Sequence, residues 1–319
     1  MRLALAKLRS SAPAILSLAV LAGGVWLWSD KLDVAAIVNK LAGANPVPAI
    51  FSLVCALAFS PLNACRLGYI TRLIAGLKLP YWGLLRVTCI GQFVTATAPM
   101  GLIGDAAKVA LMRPLGALSW LDSLLCVLSD RASGAIFITC LGIVLLPVRL
   151  AAGAPLSTLV LEACVFLGIL VGIAAVLRGG PTLQRLGWRG WGVPAAMLRA
   201  IGSLFEERRR IWAQLALALA NFALTLAATY LLARSMSINI SPFALGQYLP
   251  LIMIVSSLPF LYLGWGGREL VMVTTVGTLP GVSTNDALSL SIAIGSLWIV
   301  AALPNGLFLL TGWRRKPQT

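Results

Sequence analysis

Long apolar runs separated by short polar breaks dominate this chain, and their lengths say what they are. Runs at about residues 12–29, 47–66, 119–147, 156–177, 211–233 and 285–311 each suffice, as helices, to cross roughly 30 Å of hydrocarbon, which takes about 17–25 residues. Two further stretches, 84–113 and 245–279, are too long for one crossing and too short for two. Each is broken by proline and glycine, in "TAPMGLIGD" and "SLPFLYLGWGGRE". Backbone that breaks at membrane depth is tolerated only where protein or water covers it, so both read as re-entrant hairpins. The pattern predicts an all-α polytopic membrane protein, with about six transmembrane helices plus two oppositely oriented re-entrant helical hairpins forming an inverted repeat.

Composition agrees. Hydrophobic residues make up 59% of the 319 residues and charged residues 11%, and the mean hydropathy is +0.93. No stretch remains for a separate soluble domain, so residues 1–319 are expected to form a single integral membrane domain. The first run is read as a retained helix, because no small-residue cleavage site follows it. Histidine is absent, which removes a catalytic imidazole, a His-ligated metal and a histidine proton relay. The six cysteines stand singly in apolar segments, the pattern of buried thiols packing as small hydrophobes. No metal and no cofactor are expected.

A net charge of +15 on so apolar a chain matters through its placement. Lys and Arg crowd into the N-terminus, the 66–118 region, the 178–210 loop and the C-terminus. Lys31, Lys40, Arg149 and Arg234 are left for the other side, and Arg131 and Arg268 fall within the membrane. By the positive-inside rule both termini and the first hairpin are cytoplasmic and the second hairpin is extracytoplasmic. A bacterial inner membrane is the expected location.

An offset of 164 residues aligns the two hairpins without a gap: Asp105 falls on Glu269, Val109 on Val273, Ser119 on Ser283 and Asp122 on Asp286. The shared Ser-x-x-Asp is a helix start, with serine as N-cap and an acid three residues on. A "GQ-aromatic" triplet opens both hairpins, at Gly91–Phe93 and Gly246–Tyr248. The repeats are expected at about 47–147 and 211–311, and inverted repeats with broken helices meeting near the midplane are a transporter architecture.

Six charges fall at membrane depth: Asp105, Lys108, Asp130, Arg131, Arg268 and Glu269. Each costs roughly 2.5–3.5 kcal/mol on insertion scales, so they must face one another or a water-filled cavity. Neighbours on a helix point about 100° apart, which argues against a pair between Arg268 and Glu269. The expected partners lie across the repeat, Asp105 with Arg268 and Glu269 with Arg131. The turns are assigned to Pro99, Gly101 and Gly104 in the first hairpin and to Pro259, Gly264, Gly266 and Gly267 in the second. The charges fit two uses, a lattice that locks the fold or an anion site. The free N–H groups of each second arm favour the anion, with Arg268 beside them as the expected phosphate contact.

The stretches "TAPMGLIGDAAKVALMR", "VLSDRASG" and "SLPFLYLGWGGREL" together resemble the lysylphosphatidylglycerol synthase transmembrane region family, also called the flippase-like domain family. The resemblance spans about residues 10–312. It implies movement of aminoacylated or other phospholipids between leaflets, with Pro99, Gly104, Asp105, Asp130, Arg131, Pro259, Gly267, Arg268 and Glu269 as functional positions. Full-length synthases carry a soluble aminoacyl transferase domain after this region. The present chain stops at "GWRRKPQT", so lysine transfer is not expected from it alone.

The 178–210 loop carries seven arginines interleaved with Trp188, Trp191, Ile201 and Phe205. This reads as an interfacial helix on anionic headgroups or as ordinary positive-inside anchoring, and not as a nucleic-acid site. The expected function is a lipid translocase or lipid-transport protein acting on a phospholipid or other phosphate-headgroup lipid. Membrane lipids are its expected partners. The alternative is a membrane enzyme or accessory subunit in lipid or polyprenyl-linked glycan modification, working with a separate lipid-biosynthetic enzyme.

Overall fold

The computed structural model describes residues 34–98, 101–154, 156–185, 192–258 and 264–310. The predicted first crossing, Pro99, Pro259, Trp188 and Trp191 lie outside them. Among the described residues every element is helical. Four segments of the described residues are long and apolar enough to cross a membrane: Pro46–Ile74, Trp120–Ala151, Arg208–Ser235 and Thr284–Leu310.

In chain order, α1 (Val34–Ala42) leads into α2 (Pro46–Ile74), whose start is set by Asn45 accepting from the Val47 amide and by proline at its first position. The first hairpin is α3 (Tyr81–Thr97) and α4 (Gly101–Gly116), followed by α5 (Trp120–Ala151) and α6 (Leu156–Arg185). The basic loop holds one helix, α7 (Gly192–Ser203), and Leu204 just after it is fully buried in the core of the first half. The second half repeats the order: α8 (Arg208–Ser235), the second hairpin as α9 (Pro242–Ser256) and α10 (Gly267–Thr274), then α11 (Thr284–Ala302) and a short α12 (Leu307–Leu310).

The 164-residue offset carries residue 120, where α5 begins, onto 284, where α11 begins. Both starts are capped alike. The Ser119 hydroxyl accepts from the Asp122 amide at 3.0 Å and Ser283 from the Asp286 amide at 3.1 Å. The same offset carries Ala117 onto Gly281, and both have left-handed backbone, φ 51° and 78°.

The hairpin arms contain 17 and 16 residues in the first and 15 and 8 in the second. At about 1.5 Å per residue the longest reaches about 25 Å, short of a full crossing. In the first hairpin Gly91 lies against the Lys108 stem and Gly104 against Thr95 and the Gly91 carbonyl. The two arms therefore run antiparallel. Gly104, expected in the hairpin turn, lies inside α4, where the lack of a Cβ permits this approach.

Two apolar clusters fall mainly one in each half, and a third, of Phe166 with Leu251 and Ile254, bridges them. Ile70, Leu84, Val87, Met112 and Val127 centre the first, and Leu232, Leu245, Met272 and Leu290 centre the second. The halves are joined along several faces, two of which position the hairpins. Helices α2 and α8 pack along their length, with the Ser52 hydroxyl donating to the Ala228 carbonyl and Asn221 donating to Asn63. As the number falls on α2 it rises on α8, so the two corresponding helices are antiparallel. Each hairpin's first arm also packs on the helix that follows the other hairpin, α3 on α11 and α9 on α5.

Candidate functional site

The charged residues singled out by sequence sort into three clusters. In the first, Asp105 one turn into α4 is 7% exposed and holds Arg131 of α5 in a two-bond fork. Arg131 Nε lies 2.5 Å from Oδ2, and Nη2 donates to Oδ1 at 3.0 Å. Lys108 Nζ is 3.5 Å from the same carboxylate. Two cations share one anion, so the cluster carries a surplus positive charge. It is also open, because the Arg131 side chain is 43% exposed.

The second cluster begins at the turn before α10, where Gly264 and Gly266 have φ 77° and 86°, a conformation open to glycine and costly for other residues. Gly267 is the first helical residue. Glu269 turns back so that its Oε2 accepts from the Gly266 amide at 2.6 Å. Its Oε1 accepts from Arg268 Nη2 and from the Ser291 hydroxyl, both at 2.9 Å. Ser291 in turn accepts from Arg268 Nε at 3.0 Å, and the guanidinium stands 5.4 Å from the Trp265 ring. Arg268 is 2% and Glu269 6% exposed. The cluster is neutral and buried, and its three members are joined by hydrogen bonds.

The third cluster joins α2 to α5. Arg66 Nε lies 3.2 Å from Asp130 Oδ1, while Nη2 donates to the Asp130 carbonyl at 2.6 Å and to Ser133 at 2.8 Å. Arg66 had been counted with the basic residues of the 66–118 region, but it is buried. Gly134 leaves room for its guanidinium.

The expected cross-repeat pairs, Asp105 with Arg268 and Glu269 with Arg131, do not form. Each acid takes an arginine from its own half. The objection to an Arg268–Glu269 pair assumed side chains standing straight out from a helix. At a first turn, capped backwards by Glu269 and with Ser291 facing it from α11, two long side chains 100° apart converge on one hydroxyl.

The offset that aligns the helices also exposes an exchange between the clusters. Asp105 corresponds to Glu269, but Arg131 corresponds to Gly295, and Arg268 to Gly104. The missing Gly295 side chain is what admits Arg268: a Cβ there would sit 2.5 Å from Arg268 Nη2. Both halves thus keep one acid–guanidinium pair at the second hairpin arm, with the arginine supplied by the following helix α5 in the first and by the arm itself in the second.

Two further polar groups were not anticipated. Arg149 at the end of α5 is buried with Glu162 of α6, forms an ion pair with it, and stacks 4.0 Å over the Tyr248 ring of α9. Arg149 had been assigned to an aqueous flank. Glu162 was legible as a lone acid in an apolar run but had not been singled out. Near the middle of α2, Ser60 and Gln92 bond each other, and Asn305 Nδ2 donates to Gln92 Oε1 at 3.1 Å. Gln92 belongs to the first "GQ-aromatic" triplet and Tyr248 to the second, so each triplet sends a side chain to the other half.

The family model described as "Lysylphosphatidylglycerol synthase TM region" matches residues 14–303, almost the whole chain. No curated protein matches it.

Proposed function

Because the chain belongs to the lysylphosphatidylglycerol synthase transmembrane region family, we propose that it is a lipid-transport protein moving a phosphate-headgroup lipid between leaflets. The observation that carries this reading is the contrast between the two hairpin clusters. A buried ion pair with every group satisfied serves the fold, and the Arg268–Glu269–Ser291 cluster has that form. The Asp105–Lys108–Arg131 cluster has a surplus cation and an exposed guanidinium, and guanidinium matches phosphate in charge and fork geometry. The headgroup contact expected at Arg268 therefore moves to Arg131 and Lys108.

An inverted repeat supports the same reading. The corresponding helices α2 and α8 run antiparallel, so the first hairpin would enter from one face of the membrane and the second from the other. Basic residues gather where α2 ends and α8 begins, together with Trp82, Trp120 and Trp212, all exposed at helix starts. That belt would face the cytoplasm, with both termini on that side.

The test is leaflet exchange of fluorescent phospholipids in proteoliposomes, at matched reconstitution. Wild type is expected to exceed empty liposomes. Lys108→Gln, which leaves the Asp105–Arg131 fork intact, and Arg131→Ala should each slow exchange about tenfold or more, the loss of one charge-assisted contact. Wild-type exchange equal to that of empty liposomes would contradict the reading.

A further inference from the structure

A groove of about 680 Å³ opens between α2 and α8, and no member of the three charge clusters lines it. Ala58 and Pro61 of α2 and Ala220, Ala223 and Ala227 of α8 line it, and Tyr81 closes one end. Both helices are membrane-crossing by length and composition, so the medium available to an open apolar groove at this height is the acyl chain of a lipid. Small side chains on both helices are what make the depression.

The Tyr81 end is where the polar chemistry lies. Along the groove face of α2, the lining residue Cys65 is followed at helical spacing by Tyr69 and Arg72. On α8, Arg209 precedes Ala220 by three helical turns on the same face. Because the helices are antiparallel, Arg72 and Arg209 lie at the same end, beside Lys78 in the loop that leads to Tyr81. All three basic residues are exposed, and among the described residues no ion pair uses them. Trp82 and Trp212 stand exposed at the same level, the position of aromatic side chains at a membrane–water interface.

We infer that this groove is a binding site for one anionic phospholipid, its acyl chain lying between α2 and α8 and its phosphate held by Arg72, Lys78 and Arg209 at the Tyr81 end. The inference does not rest on the transport reading, since none of the hairpin charges lines the groove. The lipid would fill the seam between the two halves and tie it to the membrane surface on the basic side.

Native mass spectrometry of the full, delipidated chain in detergent tests this, with dioleoyl phosphatidylglycerol and dioleoyl phosphatidylcholine as probes. Wild type is expected to retain one phosphatidylglycerol in clear preference to phosphatidylcholine. Ala223→Phe, which fills the groove, should abolish that retention. The exposed double variant Arg72→Gln/Arg209→Gln should weaken it about fivefold per charge removed, and it decides the matter if the groove-filling variant fails to fold. Equal retention of the two lipids, unchanged retention in the double variant, or a dimer of the chain that Ala223→Phe dissolves would each overturn the inference, the last by showing that a second copy covers the groove.

Discussion

At the scale of single residues, the choice of arginine separates the two hairpins. Gly295 is the hole into which the Arg268 guanidinium fits, and an added methyl group there must displace it. Gly295→Ala is expected to lower stability by about 1–3 kcal/mol, the cost of overfilling a packed site. The loss should shrink in an Arg268→Ala background, where the methyl group meets space. Thermal unfolding of the four chains measures this, and strictly additive losses would mean that the two residues do not share the site. The acids and arginines themselves were legible in the sequence, because a charge inside an apolar run is costly and therefore conspicuous. Their partners were not legible, since a helical wheel fixes where a side chain leaves the backbone and not where a long, flexible one ends.

At the scale of helices, serine caps and glycine breaks marked the starts of α5 and α11 and the turn into α10, because those are local chemistry. Arginines at the ends of runs were misplaced. Counting charges treats any terminal arginine as an aqueous flank, whereas Arg66 and Arg149 turn inward to acids on neighbouring helices, a pairing that depends on which helices are adjacent. The Arg149–Glu162 pair docks α6 on α5 together with Phe166, whose ring fits over Gly142. Glu162→Gln leaves a buried guanidinium without its counter-charge and should cost about 3–5 kcal/mol. Replacing both partners, as Arg149→Leu/Glu162→Leu, should recover most of it, since an apolar pair carries no desolvation penalty. A double variant as unstable as the single one, by thermal unfolding in detergent, would show that Arg149 stabilises the fold through its stacking on Tyr248 of α9 and not through Glu162.

At the scale of the whole molecule, the two halves meet along α2 and α8 and exchange first hairpin arms, so each hairpin is braced by the other half. Of this, the serine-capped starts of α5 and α11, 164 residues apart, were legible in the sequence. The crossed bracing was not, because contacts between α9 and α5 or between α3 and α11 leave no periodic signature. The transport reading depends on the two halves having opposite orientations, which is the central claim. It is tested most directly by cysteines placed at the equivalent exposed positions Pro114 and Thr278, one at a time, in a chain whose six native cysteines are replaced by alanine. A membrane-impermeant maleimide is then applied to sealed vesicles of known sidedness. Pro114→Cys is expected to label from the cytoplasmic face and Thr278→Cys from the opposite one; labelling of both from the same face would contradict the opposite orientations.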